Sequence, residues 1–544
     1  MAENTEIEKK TTQSPAKKKG MSFALSTIIV GLGLIITKGS GLIRDVIVSW
    51  KFTEPALRDA YMLAFNIPDL FYNLLVGGAI YSTIAPFMSA QLAVGKEKEA
   101  IRIVSKFITA VSIVMIVCCS VGAIFSEPLY KFYSLFHNVK NPEILPLAAQ
   151  SSKLLFPQIF FIMLAALCNG VLIAYRRFTI TSFAPVLYNI LVITAIYVFG
   201  GNDLNHLMMT TGGILIAALF NFLFQYILGF KQMRQFKPDF HLADRELLKL
   251  FKRAIPILIS ASVVQINAIV LNSFALQFDK GSVYCFRNAN SIWQIPYSVF
   301  VVAITTVMTP ELSGDYESKR FQKASTLISH SMKSALFMTI PSAVFMAVLN
   351  VDVVKAVYQW HSAYTNEQAE VAATFLLGFC SAIVTATVVH VFNQAFYAIG
   401  QTKIPLFAGV LGLVINPVAC AVMIKLGVGL MSLSFAYSIT NIFMMVLLAV
   451  TYCRRKELAP YGIVKFLIKA ACCVIVMGVV VFFIDKFFPA RGGKLMQLGI
   501  IGIKLAIGIV VYFGMAVILR MQEATEWINK FKAKVFKKSA AKKA

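Results

Sequence analysis

Residues 107–125, FITAVSIVMIVCCSVGAIF, form an uncharged apolar run of the length that crosses a lipid bilayer. A spanning helix needs about twenty mostly apolar residues, because its backbone groups must pair with one another where no water is present. Fourteen such segments are centred near residues 34, 76, 114, 161, 190, 219, 264, 301, 338, 385, 415, 440, 475 and 508. Long continuous runs exclude the short alternating strands of a membrane barrel. The sequence therefore predicts an all-α polytopic membrane protein with about 14 transmembrane helices.

The composition agrees with a membrane protein. Of the 544 residues, 58% are hydrophobic and 14% charged, whereas a soluble domain usually has about a quarter charged residues. The net charge of +25 would suggest nucleic acid in a soluble protein. Here the basic residues flank apolar runs, so membrane topology and anionic lipids explain them, and we expect no nucleic-acid partner. The nine cysteines lack paired spacing, which argues against a metal or redox site.

Basic residues gather in every second connection between the predicted spans. These connections are residues 96–102, 176–177, 231–253, 319–323, 403 and 454–456. Short loops rich in lysine and arginine stay in the cytoplasm, so these loops and both chain termini are predicted to be cytoplasmic. Loop 352–370 is predicted to lie outside. The basic tails, residues 1–20 and 523–544, are expected to lie near anionic membrane lipids.

An internal repeat relates two parts of the chain. Pro86 recurs as Pro310, and Phe183 recurs as Phe407, each at an offset of 224 residues. A repeat of six spans, an even number, is parallel and related by an axis along the membrane normal. We therefore predict two pseudo-symmetric six-helix lobes around a central cavity, followed by two C-terminal helices. The predicted bounds are 21–235 for the N-lobe, 236–455 for the C-lobe and 456–522 for the last two helices.

Several ionisable residues interrupt the apolar pattern. Such residues are costly within a membrane and usually face a cavity or a partner. The set that bears on function comprises Lys38, Arg44, Asp45, Arg58, Asp59 and Arg287. One interpretation is a cationic cavity for an anionic headgroup, since guanidinium groups bind diphosphate oxygens through paired hydrogen bonds. The alternative is that Arg44–Asp45 and Arg58–Asp59 neutralise each other near a membrane surface.

Five short motifs occur in order along the chain. They are TKGSGLIRD at 37–45, DAYMLAFNIPDL at 59–70, YRRF at 175–178 with APVLYN at 184–189, QIP to PELS over 294–313, and AFYAIGQTK at 395–403. Together they resemble the motifs of the MurJ lipid II flippase family, a branch of the multidrug/oligosaccharidyl-lipid/polysaccharide exporter superfamily. The resemblance extends from about residue 22 to residue 520.

This resemblance implies a function. Members carry undecaprenyl-diphosphate-linked peptidoglycan precursor from the inner to the outer leaflet of the bacterial inner membrane by alternating access. Cationic cavity residues bind the diphosphate and sugar, and the last two helices form a groove for the lipid tail. Carried onto this chain, the substrate-binding residues are Lys38, Arg44, Asp45, Asp59, Asn66, Tyr72 and Arg287. We expect Arg44 and Arg287 to bind the diphosphate from opposite lobes. We expect Asp45 and Asp59 to hold the arginines when the cavity is empty.

The chain departs from the family pattern at several positions. Lys38 replaces the usual arginine, which keeps the charge but not the planar fork. Asn66 stands where a basic residue is usual, and Tyr72 falls on an arginine position, so the predicted cavity is less basic. Leu271 and Cys420 fall where acids linked to sodium binding would stand. We therefore expect neither a metal site nor a cofactor.

Other functions remain open at this point. A flippase for another polyprenyl-linked glycan would share the fold and the cationic cavity. A lipid-linked glycosyltransferase would need catalytic carboxylates on a sizeable aqueous loop, but the external loops are short and contain no D-x-D, so we expect no enzyme. A non-transporting scaffold would need a degenerate cavity. The expected partner is lipid II, and contact with the cell-wall synthesis machinery is left open.

Overall fold

The computed structural model describes residues 23–76, 79–131, 139–490 and 492–529, and these ranges are helical apart from short connections. Residues 1–22 and 530–544, which include most of the two predicted basic tails, lie outside the described ranges. The helices of the N-terminal part are α1 (Phe23–Lys51), α2 (Pro55–Ala64), α3 (Asn66–Leu75), α4 (Ala79–Ala93), α5 (Glu97–Ile124), α6 (Ser126–Lys131), α7 (Ile144–Ala174), α8 (Phe178–Phe199), α9 (Leu204–Leu228) and α10 (Phe230–Met233).

The helices of the C-terminal part are α11 (Arg245–Ala275), α12 (Ser282–Pro296), α13 (Ala303–Glu317), α14 (Phe321–Val348), α15 (Asn350–Tyr358), α16 (Asn366–Ala398), α17 (Lys403–Lys425), α18 (Met431–Cys453), α19 (Ile463–Phe487) and α20 (Lys494–Ile518). A π-helical segment, Tyr297–Val302, joins α12 to α13. Within the described residues, eleven helical segments are long and apolar enough to cross a membrane. The other three predicted spans correspond to α1, α2–α4 and α11, so the prediction of a polytopic helical bundle is confirmed.

The second span is broken for a local reason. Pro68 cannot donate a backbone hydrogen bond, and its ring crowds the carbonyl four residues earlier, so α2 ends at Ala64 and α3 begins at Asn66. The Tyr130 hydroxyl of α6 donates to the carbonyls of Leu63 (2.8 Å) and Ala64 (2.9 Å) that the break exposes. The break places α2 and α3 as two short helices at the contact between the lobes.

Backbone features recur at the offset found in the sequence. Helices α5 and α14 begin and end 224 residues apart. Gly95 (φ 75°) and Lys319 (φ 57°) are both left-handed, and so are Arg176 (φ 58°) and Gly400 (φ 74°). A left-handed lysine or arginine is uncommon, because its Cβ approaches the following carbonyl. These features support the predicted twofold repeat, while the lobe boundaries themselves remain a prediction.

The connections divide between the two ends of the bundle. We call the end that contains the clusters at 96–102, 176–177, 319–323 and 454–456 the basic end. The opposite end holds the α1–α2, α6–α7, α11–α12 and α15–α16 connections. The last two helices, α19 and α20, pack on α14 and α15 of the C-terminal part.

Candidate substrate-binding site and lobe contacts

Arg44 and Asp45 form an ion pair within α1. The Arg44 Nε and Nη2 atoms donate to the same oxygen, Oδ1 of Asp45, at 2.9 and 2.8 Å. The Arg44 side chain remains 28% exposed, whereas that of Asp45 is 5% exposed. The Asp45 carbonyl accepts a hydrogen bond from the Tyr284 hydroxyl of the other lobe. The pair is therefore fixed at the lobe contact, and Arg44 keeps access to a ligand.

Arg287 approaches the same place from the C-terminal part. It lies half-buried in α12 and, within the described residues, has no acidic partner within ion-pair distance. Arg287 and Arg44 both interact electrostatically with Tyr61 of α2 and Asp69 of α3. Tyr284, one turn before Arg287 in α12, donates its hydroxyl to the Asp45 carbonyl, so the two arginines lie on helices that meet at this lobe contact. We call Arg44, Asp45, Tyr61, Asp69 and Arg287 the arginine cluster.

Asp69 and Tyr61 were absent from the site predicted from sequence. Asp69 was visible as an acid inside the second span, which is a costly position for a charge. Tyr61 carried no such signal, because a tyrosine in an apolar helix is most often a packing residue. They lie on either side of the break between α2 and α3, and both are within electrostatic range of the two arginines.

Arg58 and Asp59 interact electrostatically as neighbours, but unlike Arg44 and Asp45 their side chains bond to other groups. Within the described residues no ion pair joins them. Instead, Asp59 is 1% exposed and its two oxygens accept from the backbone N–H groups of Gly281 (2.7 Å) and Tyr284 (2.8 Å). These groups begin α12, whose first N–H groups have no partner inside the helix. Asp59 therefore caps a helix of the other lobe, and its carboxylate is not available to steady an arginine of the cavity.

Arg58 is fully buried and serves as a hub of hydrogen bonds. Its guanidinium donates to the carbonyl of Ser49 in the last turn of α1 and to those of Phe52 and Thr53 just after it. It also donates to Ala363 O (2.8 Å) and Gln368 Oε1 (2.6 Å) of the C-terminal part. The last carbonyls of a helix lack intrahelical partners, so one arginine satisfies them and links the lobes at once.

The other predicted site residues lie apart from the arginine cluster. Asn66 is 2% exposed, and its Oδ1 accepts from Asn272 Nδ2 of α11 at 3.2 Å, so it joins the lobes. Tyr72 is half-buried and packs against the core of the lobe. Lys38 is exposed on α1, six residues before Arg44. Of these three, Asn66 is withdrawn into the lobe contact, whereas Lys38 is exposed and Tyr72 is half-buried.

Further contacts join the lobes at the opposite end. Lys140 pairs with Asp279 at 2.5 Å, and Lys280 pairs with Glu143 at 2.8 Å. The hydrogen bond and charge of Lys280 hold the pKa of Glu143 below its ordinary value. The ring of His361 stacks on Trp50, with centroids 5.5 Å apart. With Arg58, Asp59 and their partners, these contacts form what we call the lobe clasp.

At the basic end, the connection between the lobes is bound to the N-terminal part. Lys106 of α5 pairs with Asp244 at 2.9 Å, which lowers the pKa of Asp244. Asp244 also caps α11 by accepting from the Glu246 N–H at 2.9 Å. The predicted boundary at 235/236 falls within this connection, which precedes α11.

The positions associated with sodium in the family are occupied by other contacts. Leu271 is buried in the core. Cys420 faces Asn416, whose Nδ2 donates to Asn267 Oδ1 at 2.7 Å. In the described part of the chain, no group of three His, Cys, Asp or Glu residues could hold a metal ion.

The helical fold is shared with solved transporters of the multidrug/oligosaccharidyl-lipid/polysaccharide superfamily. The chain is similar to a multidrug resistance transporter of that superfamily in an inward-facing conformation, with a TM-score of 0.64, 18% identity and coverage of 79% of this chain and 98% of the other. An outward-facing conformation gives a TM-score of 0.56 at 18% identity, with coverage of 80% and 95%. The same helical arrangement therefore exists open to either side.

The chain belongs to the family described as lipid II flippase MurJ, whose model matches residues 50–501. It is 24% identical to a probable lipid II flippase MurJ of Rickettsia prowazekii, over 92% of this chain and 98% of the relative. Identity to the Thermotoga maritima relative is also 24%, over 94% and 99%. A structure of lipid II flippase MurJ in an inward closed conformation matches with a TM-score of 0.74 at 22% identity, over 90% and 98%.

Proposed function

We propose that this chain moves lipid II, the undecaprenyl-diphosphate-linked peptidoglycan precursor, from the inner to the outer leaflet of the bacterial inner membrane. The observation that carries the proposal is the contact of α1 with α12 between the Asp45 carbonyl and the Tyr284 hydroxyl, which places Arg44 and Arg287, from different lobes, within electrostatic range of the same tyrosine and aspartate. A diphosphate has about two negative charges and cannot enter hydrocarbon uncompensated. Two guanidinium groups compensate it, and membership of the MurJ family makes lipid II the substrate.

The cluster contains its own counterions. Asp45 holds Arg44 in the empty protein, and Asp69 faces both arginines. These carboxylates lower the cost of keeping cations in a poorly hydrated site. An arriving diphosphate competes with them for the arginines, and Lys38 adds a further cation along α1. Asp59, Asn66 and Tyr72 act indirectly, through the packing between and within the lobes.

Alternating access follows from where the lobes are joined. The lobe clasp closes the opposite end, so a substrate reaches the cluster from the basic end. Rotation of the lobes that opens the clasp exposes the same arginines to the other side. We propose that the basic end and both termini face the cytoplasm, where anionic lipids meet its lysines and arginines. Transport of this kind needs no catalytic residue.

Complementation of a flippase-depleted bacterium, combined with an assay of lipid II accessibility in the outer leaflet, tests the proposal. The unaltered chain should restore growth and expose lipid II. Arg44→Ala and Arg287→Ala should abolish both at matched expression, whereas Arg454→Ala, an exposed arginine at the basic end, should not. Arg44→Lys should be impaired although its charge is kept, because the fork is lost.

The outcomes separate the alternatives. Failure to restore growth, together with transport of a different lipid-linked glycan, would point to another polyprenyl-linked substrate. Failure of the unaltered chain, despite expression in the membrane, would point to a scaffold or to a lipid-linked enzyme. Full activity of both alanine variants would show that the arginine cluster is structural only.

A further inference from the structure

Lys504 is a buried cation inside a spanning helix. It lies in α20, is 1% exposed, and pairs with Asp485 of α19 at 2.5 Å and Asp352 of α15 at 3.2 Å. A buried ion pair is weak evidence of stabilisation, since a well-packed apolar side chain often serves as well. Its directional contacts do, however, fix the position of the element that they join. Here that element is the short helix α15.

Lys494 holds the other end of α15. Its Nζ donates to the carbonyls of Lys355 and Gln359, and it lies 5.0 Å from the centre of the Trp360 ring. The last carbonyls of a helix have no partner within it, so a lysine there is a favourable cap. Two lysines of α20 therefore contact α15: Lys504 pairs with its first turn, and Lys494 donates to carbonyls at its last turn.

The segment after α15 carries the C-terminal half of the lobe clasp. His361 stacks on Trp50, and the carbonyl of Ala363 accepts from Arg58. Gln368, in the first turn of α16, accepts from Arg58 as well. The same short stretch is thus joined to α20 on one side and to the N-terminal lobe on the other.

We propose that Lys494 and Lys504 are positioning residues of the lobe clasp, so that α19 and α20 control how firmly the opposite end closes. The inference rests on the proposed function, in which that end must open and close. Without Lys504, Asp352 and Asp485 face each other with like charges, and α15 moves away from α19. Without Lys494, the last turn of α15 loses its cap. Either change displaces the segment that holds His361 and Ala363.

Crosslinking across the clasp tests the proposal in membranes. Cysteines at Trp50 and His361, in the full chain with its nine native cysteines replaced, are joined by a short bismaleimide. Lys504→Met should lower the crosslinking rate roughly tenfold, a coupling of ordinary size. The double variant that also carries Lys494→Met should lower it at least as much. Lys504→Arg should restore it. Lys486→Met, which changes an exposed lysine next to Asp485, is the matched control and should leave the rate unchanged.

A second variant keeps the test decisive where Lys504→Met fails to fold. Lys504→Met with Asp485→Asn removes the repulsion between the two carboxylates, while Asp352 of α15 still lacks its lysine partner. Crosslinking should remain low in this folded variant, and a wild-type rate there would overturn the proposal. The readout does not depend on lipid II, so failure of the unaltered chain to expose lipid II would count against the proposed function alone.

Discussion

Arg44–Asp45 in α1 and Arg58–Asp59 in α2 are the same dipeptide, but the structure uses them in opposite ways. The first closes on itself as an ion pair within one helix, and its arginine remains 28% exposed. The second separates: Arg58 donates to Ala363 and Gln368, while Asp59 caps α12. The side chains of a pair satisfied within its own helix do not join the lobes, whereas the side chains of a divided pair do.

The difference follows from position and backbone. Arg44 and Asp45 lie within a continuous helix, where the carbonyls have partners. Arg58 follows the end of α1, whose last carbonyls need donors, and Asp59 lies beside the first N–H groups of α12. The unpaired carbonyls and N–H groups of helix ends bind the side chains of Arg58 and Asp59. Their contacts with helix ends, more than neutralisation of each other's charge, therefore determine where these side chains lie.

The largest expected contrast is in stability. Arg58→Met should lower the free energy of unfolding by about 3 kcal/mol, because each buried acceptor left unpaired costs about 1–3 kcal/mol. Arg44→Met should cost less than about 1 kcal/mol, as for other partly exposed ion pairs. Denaturant titration in detergent micelles measures both. Equal losses of unfolding free energy in the two variants would contradict the assignment of Arg58 as the arginine that joins the lobes.

A smaller contrast is expected between the two acids. Asp59→Ala should cost about 1 kcal/mol, the usual value for loss of an N-terminal helix cap. It should also loosen the lobe clasp, seen as slower crosslinking between positions 50 and 361. Asp45→Ala should leave crosslinking intact, since the Asp45 group that contacts the other lobe is its backbone carbonyl. A slower rate in Asp45→Ala alone would reverse the assignment.

The sequence could predict the spans and the two arginines of the cluster, because each depends on local chemistry. A bilayer demands long apolar helices, and a charge inside one is conspicuous. The offset of 224 residues was likewise visible, in Pro86 and Pro310. These features need no knowledge of which helices touch.

The partners of Arg58 and Asp59 could not be predicted, because they are remote in sequence. Gln368 is 310 residues from Arg58, and Gly281 is 222 residues from Asp59. Asn66 illustrates the same limit: as a substitution for a basic residue it suggested a weaker cavity, but its side chain binds Asn272 across the lobe contact. Only the packing of the lobes decides whether such a residue faces a ligand or another helix.

A further contrast concerns binding of the ligand by Arg44, which Asp45→Asn tests. Loss of the carboxylate frees Arg44 from its internal partner, so the apparent affinity for lipid II should rise about threefold, given that a partly exposed pair contributes up to about 1 kcal/mol. Binding of a fluorescent lipid II analogue to purified protein measures this. Glu370→Gln, which changes an exposed acid near the start of α16, is the control and should change nothing. Weaker binding in Asp45→Asn would show that Asp45 orients Arg44 for the ligand.

The smallest effect is expected at the exposed ion pairs of the lobe clasp, which test whether Arg58 or surface charge dominates closure. Lys280 keeps the pKa of Glu143 below 4.5, and Glu143 keeps the pKa of Lys280 above 10.5. Both are charged between about pH 6 and pH 9, so crosslinking of positions 50 and 361 should be flat over that range once it is divided by the rate of maleimide labelling of the single cysteines at the same pH, which corrects for the thiolate fraction. It should fall only in acid, as Glu143 takes up a proton below its ordinary pKa.

Glu143→Gln should remove that acid-dependent fall and change closure little at neutral pH, because water and salt screen this pair. Added salt should likewise have little effect on closure in the unaltered chain, since the contacts of Arg58 are buried and most of their acceptors are uncharged carbonyls. A strong salt dependence would move the main closing contact from Arg58 to the surface pairs.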